Sequence, residues 1–139
     1  MALTRIDLQS LADRRIADAK VLIDGGRFDA GYYVAGYSIE CGLKACVANL
    51  WKTEAFPEKS FVPAVYIHDL KKLIDLAGLR AMFDADTTAN ATLFGYWGTV
   101  LAWTEHSRYD NKDEAAAREL YEAVSNGPDA VLPWIKRYW

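Results

Sequence analysis

The stretch that decides the fold is residues 29–51, DAGYYVAGYSIECGLKACVANLW. At 3.6 residues per turn, apolar or small residues fall on every face of this segment. A helix that is apolar all round is a buried helix, so the segment is predicted to be the central helix of a bundle. Its glycines disfavour a helix, which fits close approach by neighbouring helices. The small residues placed for that approach include Gly31, Ala35, Gly36, Gly42 and Ala45.

Charged residues are scarce along this central helix. Asp29 is predicted to be its N-cap. Glu40 and Lys44 follow, four residues apart with the acid first, so they are predicted to pair one turn apart. Two interpretations stay open: a structural ion pair where the helix reaches the surface or a subunit contact, or a polar floor for a ligand cleft.

The preceding segment, residues 4–23, has apolar residues at helical spacing and predicts an amphipathic first helix. Gly25 and Gly26 are expected to end it, because glycine adopts the left-handed conformation that closes helices. Only two residues separate these glycines from Asp29. The first two helices should therefore form an antiparallel hairpin.

Beyond the central helix, residues 52–63 contain two prolines and predict a long loop, and residues 65–67 an extended lead-in. His68 opens HDLKKLIDLAG, a predicted short helix that Gly78 ends. Residues 86–103 predict one helix capped by Asp86, with Gly95 and Gly98 placed for close packing.

The last third of the chain predicts two more helices. Asn111 with Glu114 forms a capping-box-like start for one of them. Pro128 suits the first position of a short terminal helix whose aromatic end either packs on the bundle or serves an interface. The whole chain, residues 1–139, is thus predicted to be a single all-α domain: an up-and-down bundle of four to five main helices with a short C-terminal helix.

The composition of the chain limits the classes of function that we expect. The chain is 52% hydrophobic and 25% charged, which is typical of a folded globular protein. A net charge of −3 gives no general attraction for nucleic acid, so such binding would need a local basic patch. No secretory signal is visible, and Glu40 and Lys44 argue against a membrane span, so a cytoplasmic location is expected.

The cysteines and histidines lack the spacing of a metal site, and no phosphate-binding or dinucleotide glycine motif occurs. Neither a metal nor a cofactor is therefore expected. Cys41 and Cys46 lie about 140° apart on one helix, so they are predicted to be separate buried thiols. Any chemistry would have to use His68, His106 and other polar side chains near them.

The order of these features resembles the HEPN domains over essentially the whole chain. The resemblance rests on FDAGYYVAGYSIECGLKACVA with its Ala-Gly-Tyr and Glu-x-x-x-Lys pattern, on HDLKKL after a loop, and on a helix ending W-x-x-x-x-RY. It implies a helical bundle that pairs as a homodimer. Such domains are often encoded beside, or fused to, a minimal nucleotidyltransferase, forming toxin and antitoxin pairs.

Many HEPN domains are metal-independent endoribonucleases with an Arg-x(4-6)-His motif. Arg108 stands where that arginine is expected, but no histidine follows it in reach, and His106 precedes it. Since cleavage needs one group to take a proton and another to stabilise phosphate, this departure favours a non-catalytic member. Arg108, His106 and Tyr109 remain the candidates for catalysis.

The resemblance therefore implies a protein that binds a nucleotide, a nucleic acid or a nucleotidyltransferase partner. The candidate ligand-binding residues are Glu40, Lys44, Arg108, Tyr109, Tyr37 and His68. Purely structural roles are the alternative for three of these residues. Arg108 would be solvated or would cap a helix, Tyr109 would pack against its neighbours, and His68 would help to cap the helix at Asp69. Two other functions stay open, a ribonuclease toxin with a degenerate motif and a structural subunit assembled through the aromatic C-terminus.

Overall fold

The computed structural model describes residues 3–50 and 67–139, which form an all-α bundle as predicted. The described elements are α1 (Arg5–Asp24), α2 (Phe28–Leu50), α3 (Leu70–Leu76), α4 (Arg80–Ala89), α5 (Ala91–Leu101), a 3-10 helix (Glu105–Tyr109), α6 (Glu114–Ser125) and α7 (Val131–Lys136). The predicted loop at residues 52–63 and most of the lead-in at 65–67 lie outside the described residues. None of the helices in the described part is long and apolar enough to cross a membrane.

The α1–α2 hairpin follows the prediction from sequence. At the start of α1, the Thr4 hydroxyl accepts the Asp7 N–H at 3.0 Å and the Asp7 carboxylate accepts the Thr4 N–H at 2.9 Å. This reciprocal pair is a capping box. At the other end Gly26 has a φ of 82°, the left-handed conformation that turns the chain into α2.

The central position of α2 is confirmed: it packs against α1, α3, α6, α7 and the 3-10 helix. The prediction that Asp29 caps α2 is wrong. The helix already begins at Phe28, which places Asp29 inside the first turn. The Asp29 carboxylate instead accepts a hydrogen bond from the backbone N–H of Lys112, so it ties α2 to the segment before α6.

Close packing on the glycines of α2 is also confirmed. A Cβ added to Gly36 would lie 2.3 Å from the indole ring of Trp103, and one added to Gly31 would lie 2.5 Å from Ile23. Both distances are far below van der Waals contact. The indole of Trp103 therefore lies directly over the backbone of α2, which fixes the 3-10 helix just beyond it.

The single helix predicted over residues 86–103 is in fact two, α4 and α5. Asn90 separates them with an extended backbone, and its side chain accepts the Leu93 N–H at 3.1 Å as the N-cap of α5. Asp86 lies within α4 and is not a cap. Its carboxylate accepts hydrogen bonds from Trp134 Nε1 at 2.9 Å and from the Tyr138 hydroxyl at 3.1 Å, and these bonds lower its pKa.

The predicted start residues of α6 and α7 and the predicted close packing at Gly95 and Gly98 were also wrong. Asp113, and not Asn111, caps α6 by accepting the Ala116 N–H at 2.8 Å. The terminal helix begins at Val131, after a turn in which Gly127 has a φ of 78°, so Pro128 precedes it. Gly95 and Gly98 lie on the exposed side of α5, and no described atom lies within 4 Å of a Cβ added there.

The aromatic C-terminus packs on the bundle. Trp134 and Ile135 are buried, and the Trp134 ring meets the Trp97 ring edge-on at 5.7 Å. Such edge-to-face pairs add to the stabilisation from burial alone. Together with the bonds to Asp86, this packing joins α7 to both α4 and α5.

The space at two glycines predicts opposite effects of the same substitution. Gly36→Ala forces a methyl group into the Trp103 ring and should lower the free energy of unfolding by about 1–3 kcal/mol. Gly95→Ala adds a helix-favouring residue in open space and should raise the free energy by about 0.5–1 kcal/mol. Urea unfolding of both variants checks the pair; equal effects would contradict it.

Candidate functional site

A buried carboxylate on α2 is the base of the site. Glu40 has a side chain only 2% exposed, and its Oε2 lies 3.1 Å from Lys44 Nζ, which confirms the predicted pair. His68 Nδ1 lies 3.0 Å from both Glu40 oxygens. Glu40 is therefore paired with Lys44 from its own helix and with His68, which lies just before α3.

His68 joins this buried pair to the 3-10 helix. Its Nε2 lies 3.4 Å from Glu105 Oε2, and Glu105 Oε1 lies 3.4 Å from an Arg108 guanidinium nitrogen. His68 was expected to help cap α3, but the cap is Asp69, whose carboxylate accepts the Lys72 N–H at 3.2 Å. The imidazole instead contacts the Glu40 carboxylate, because burying a carboxylate with fewer partners would cost more free energy.

These five side chains form a polar chain: Lys44, Glu40, His68, Glu105 and Arg108. Both nitrogens of the His68 ring face carboxylate oxygens, and only the imidazolium carries a hydrogen on each nitrogen. Lys44 and Arg108 are the cations at the two ends of the chain, and Glu40 and Glu105 are its carboxylates. The chain runs from the buried face of α2 out to solvent at Arg108.

A cavity of about 500 Å³ opens beside the polar chain, between the start of α3, the end of α5 and the 3-10 helix. We call it the α3 cavity. Its apolar wall is made by Ile67, Leu70, Leu101 and Trp103. A volume of this size falls within the range of small-molecule sites, roughly 300–1,000 Å³.

Two lysines and a histidine lie on the rim of the α3 cavity. Lys71, Lys72 and His106 line it, are exposed, and have no ion-pair partner within residues 3–50 and 67–139. The acidic lining residues are already engaged, because Asp69 caps α3 and Glu105 contacts His68 and Arg108. Lys71 and Lys72 are therefore the rim cations available to an anion, beside the Asp69 carboxylate, which keeps its charge.

Aromatic rings border the polar chain. Tyr33 and Tyr37 stack with centroids 6.2 Å apart, and Tyr33 also lies 5.7 Å from the Trp103 ring. Burial raises the pKa of Tyr37 to about 12, so this phenol stays protonated at neutral pH. Tyr109, interpreted from sequence as a packing residue, is 74% exposed, and the Arg108 guanidinium lies 4.9 Å from its ring centre.

The structure brings together most of the residues predicted to bind a ligand. Glu40, Lys44, His68 and Arg108 belong to the polar chain, and His106 lines the α3 cavity. Tyr109 follows Arg108 outward into solvent. Tyr37 lies beside Tyr33 on α2 and does not line the cavity.

Four contributors were missed: Glu105, Trp103, Lys71 and Lys72. Glu105 could have been found, since it precedes Arg108 by three residues and pairs of that spacing meet on one helical face. The two lysines follow His68 closely, but their pattern alone is that of an exposed helix face. Trp103 has no sequence signal for its place over Gly36.

Metal and thiol chemistry find no support in the described residues. No group of three or more His, Cys, Asp or Glu side chains there is arranged to hold a metal ion. Cys41 and Cys46 are free and buried, and burial raises their thiol pKa values to about 11 and about 12. A thiolate nucleophile is therefore strongly disfavoured.

The buried position of Glu40 predicts a stability effect. Glu40→Gln keeps the shape but leaves Lys44 and His68 without the charge that they face, so the free energy of unfolding should fall by about 2–3 kcal/mol. Glu114→Gln is the matched control, because Glu114 pairs with Arg118 at the surface and should contribute less than about 0.5 kcal/mol. Equal losses in urea unfolding would refute the central role of Glu40.

The cysteine environment predicts slow thiol–disulfide exchange. At pH 8 both thiols should react with a disulfide reagent at least about a hundredfold more slowly in the native protein than in guanidinium chloride, because native thiolate is scarce. The release of the coloured thiol product gives both rates. Rapid reaction of even one thiol in the native protein would contradict the burial of the pair.

Comparison with protein-family models, with curated proteins and with solved structures finds no match to this chain. The resemblance to the HEPN domains therefore stays a prediction from sequence.

Proposed function

We propose that this chain is a non-catalytic HEPN-like binding protein of the cytoplasm that holds a nucleotide or RNA phosphate in the α3 cavity. The observation that carries the proposal is the pair of exposed lysines on the rim. Its lysines have no ion-pair partner in the described part of the chain, while its carboxylates are engaged. An anionic ligand would complete this arrangement.

The two halves of the cavity suit the two halves of a nucleotide. The half-buried Ile67 and Leu101 of the wall offer apolar surface to a base, and Lys71 and Lys72 offer cations to phosphate. Arg108 adds a planar guanidinium next to the exposed Tyr109 ring. Aromatic rings combined with cations are typical of surfaces that bind single-stranded nucleic acid.

A binding role is favoured over catalysis by the state of the polar side chains. Both His68 ring nitrogens face carboxylates, the Tyr37 phenol has a raised pKa, and the thiols are buried. His106 is the exception, because it lines the cavity two residues before Arg108. Metal-independent RNA cleavage that uses His106 as the proton acceptor is therefore the competing function.

The HEPN resemblance also implies a homodimer and a minimal nucleotidyltransferase partner within a toxin and antitoxin pair, and both belong to the proposal. The third alternative, assembly through the C-terminus, loses its main support because Trp134 and Ile135 pack inside the bundle. With these two side chains covered and Tyr138 and Trp139 half-buried, the aromatic end leaves less apolar surface for a partner.

The proposal is tested by measuring the binding of labelled AMP, ATP and single-stranded RNA by fluorescence anisotropy in the presence of EDTA. The Lys71→Ala/Lys72→Ala variant should weaken binding by about tenfold and lower the salt dependence of RNA binding. The matched control is Lys20→Ala/Lys136→Ala, which removes two exposed lysines that pair elsewhere, with Asp24 and Asp13. Absence of binding, or an equal loss in the control, would refute the proposed site.

The same RNA samples decide between binding and cleavage. We expect the RNA to stay intact on a denaturing gel. Cleavage in EDTA that disappears in His106→Ala would replace the binding function with the ribonuclease function.

A further inference from the structure

We propose that the Glu105 carboxylate is an internal substitute for the ligand's phosphate, held between His68 and Arg108 until a terminal phosphate displaces it. The inference rests on the proposed function of the α3 cavity and specifies the group that the cavity recognises. It assigns the anion position to the gap between the imidazole and the guanidinium.

The first support is the contrast between the two carboxylates of the polar chain. Glu40 is buried and lies 3.0–3.1 Å from its partners. Glu105 is 33% exposed and lies 3.4 Å from both His68 and Arg108. Strong charge-assisted bonds are shorter, roughly 2.7–2.9 Å, so the contacts of Glu105 are loose. They are the contacts that a competing anion can replace.

The second support is the way in which Glu105 fills the gap. One carboxylate oxygen faces His68 Nε2 and the other faces the Arg108 guanidinium. Two oxygens of one phosphate can make the same pair of contacts. Because Glu105 and His68 both line the α3 cavity, a ligand in the cavity has direct access to this position.

The third support is that only a side chain has to move. The backbone of the 3-10 helix is held at Thr104 and Ser107: the Ser107 hydroxyl accepts the Thr104 N–H at 3.3 Å. Glu105 can rotate into solvent while Arg108 and His68 keep their positions. The gap then opens without rearrangement of the bundle.

Charge indicates which phosphate fits best. A terminal phosphate monoester carries about −1.5 to −2 charges at pH 7, more than the single charge of a carboxylate or of an internal phosphodiester. Arg108 and the rim lysines Lys71 and Lys72 provide several cations within reach of the cavity. The geometry therefore points to a nucleoside monophosphate, or an RNA end bearing a phosphate monoester, as the ligand class.

Removal of the internal anion should tighten binding. We expect Glu105→Gln to bind AMP about five- to tenfold more tightly than the wild type, because a competing charge is lost while the side-chain shape is kept. Adenosine, which has no phosphate, should show no gain. Calorimetry with both ligands measures the difference, with Glu105→Ala as a second variant and circular dichroism as the check on folding.

The matched control is Asp75→Asn. Asp75 lies on α3, pairs with Arg80 and does not line the cavity, so its loss changes the net charge equally and should leave the affinity for AMP within about twofold. An equal gain in this control would reduce the effect to general electrostatics and overturn the inference.

The outcomes separate this inference from the proposed function. AMP binding by the wild type that Glu105→Gln does not strengthen would overturn the internal substitute and leave the binding function in place. Failure of wild type and variants to bind any phosphate ligand would overturn both. A preference of Glu105→Gln for 5′-phosphorylated over 5′-hydroxyl RNA would support the monoester assignment, and equal affinity would refute it.

Discussion

The structure around the site depends on the burial of one charge. Glu40 lies on a helix that is covered on nearly all sides, and a carboxylate there is stable only with cations or hydrogen-bond donors close to it. Lys44 supplies one partner from the same helix, and His68 supplies the other from the start of α3. The need to compensate Glu40 therefore fixes the position of His68 just before α3, and it places an imidazole in the lining of the α3 cavity.

Close packing fixes the opposite wall. Trp103 lies on Gly36, one turn before Glu40, and the 3-10 helix with Glu105 and Arg108 begins two residues after Trp103. A side chain at residue 36 would push the indole away from α2 and the 3-10 helix with it. The packing of Trp103 on Gly36 and the pairing of Glu40 thus involve neighbouring turns of α2. The rim lysines, the apolar wall and the polar chain therefore lie close together.

Several elements were predictable because their signals are local. The hairpin of α1 and α2, the buried character of α2 and the i,i+4 pair of Glu40 and Lys44 all follow from periodicity and spacing. Helix boundaries were less predictable. Asp29, Asp86 and Asn111 are residue types that often cap helices. The carboxylates of Asp29 and Asp86 instead accept hydrogen bonds from distant parts of the chain, and Asp113 rather than Asn111 caps α6.

The sequence by itself determined the all-α class, the identity of the central helix and most of the polar residues that matter, because each depends on a repeat or a short spacing along the chain. Only the tertiary structure decided that His68 serves Glu40 rather than its own helix, that Glu105 connects His68 to Arg108, and that Lys71 and Lys72 face a cavity. Glu40 and His68, for example, lie 28 positions apart in the chain. No local pattern encodes the contacts between distant segments, since they follow from which faces of distant helices meet when the apolar surface is buried.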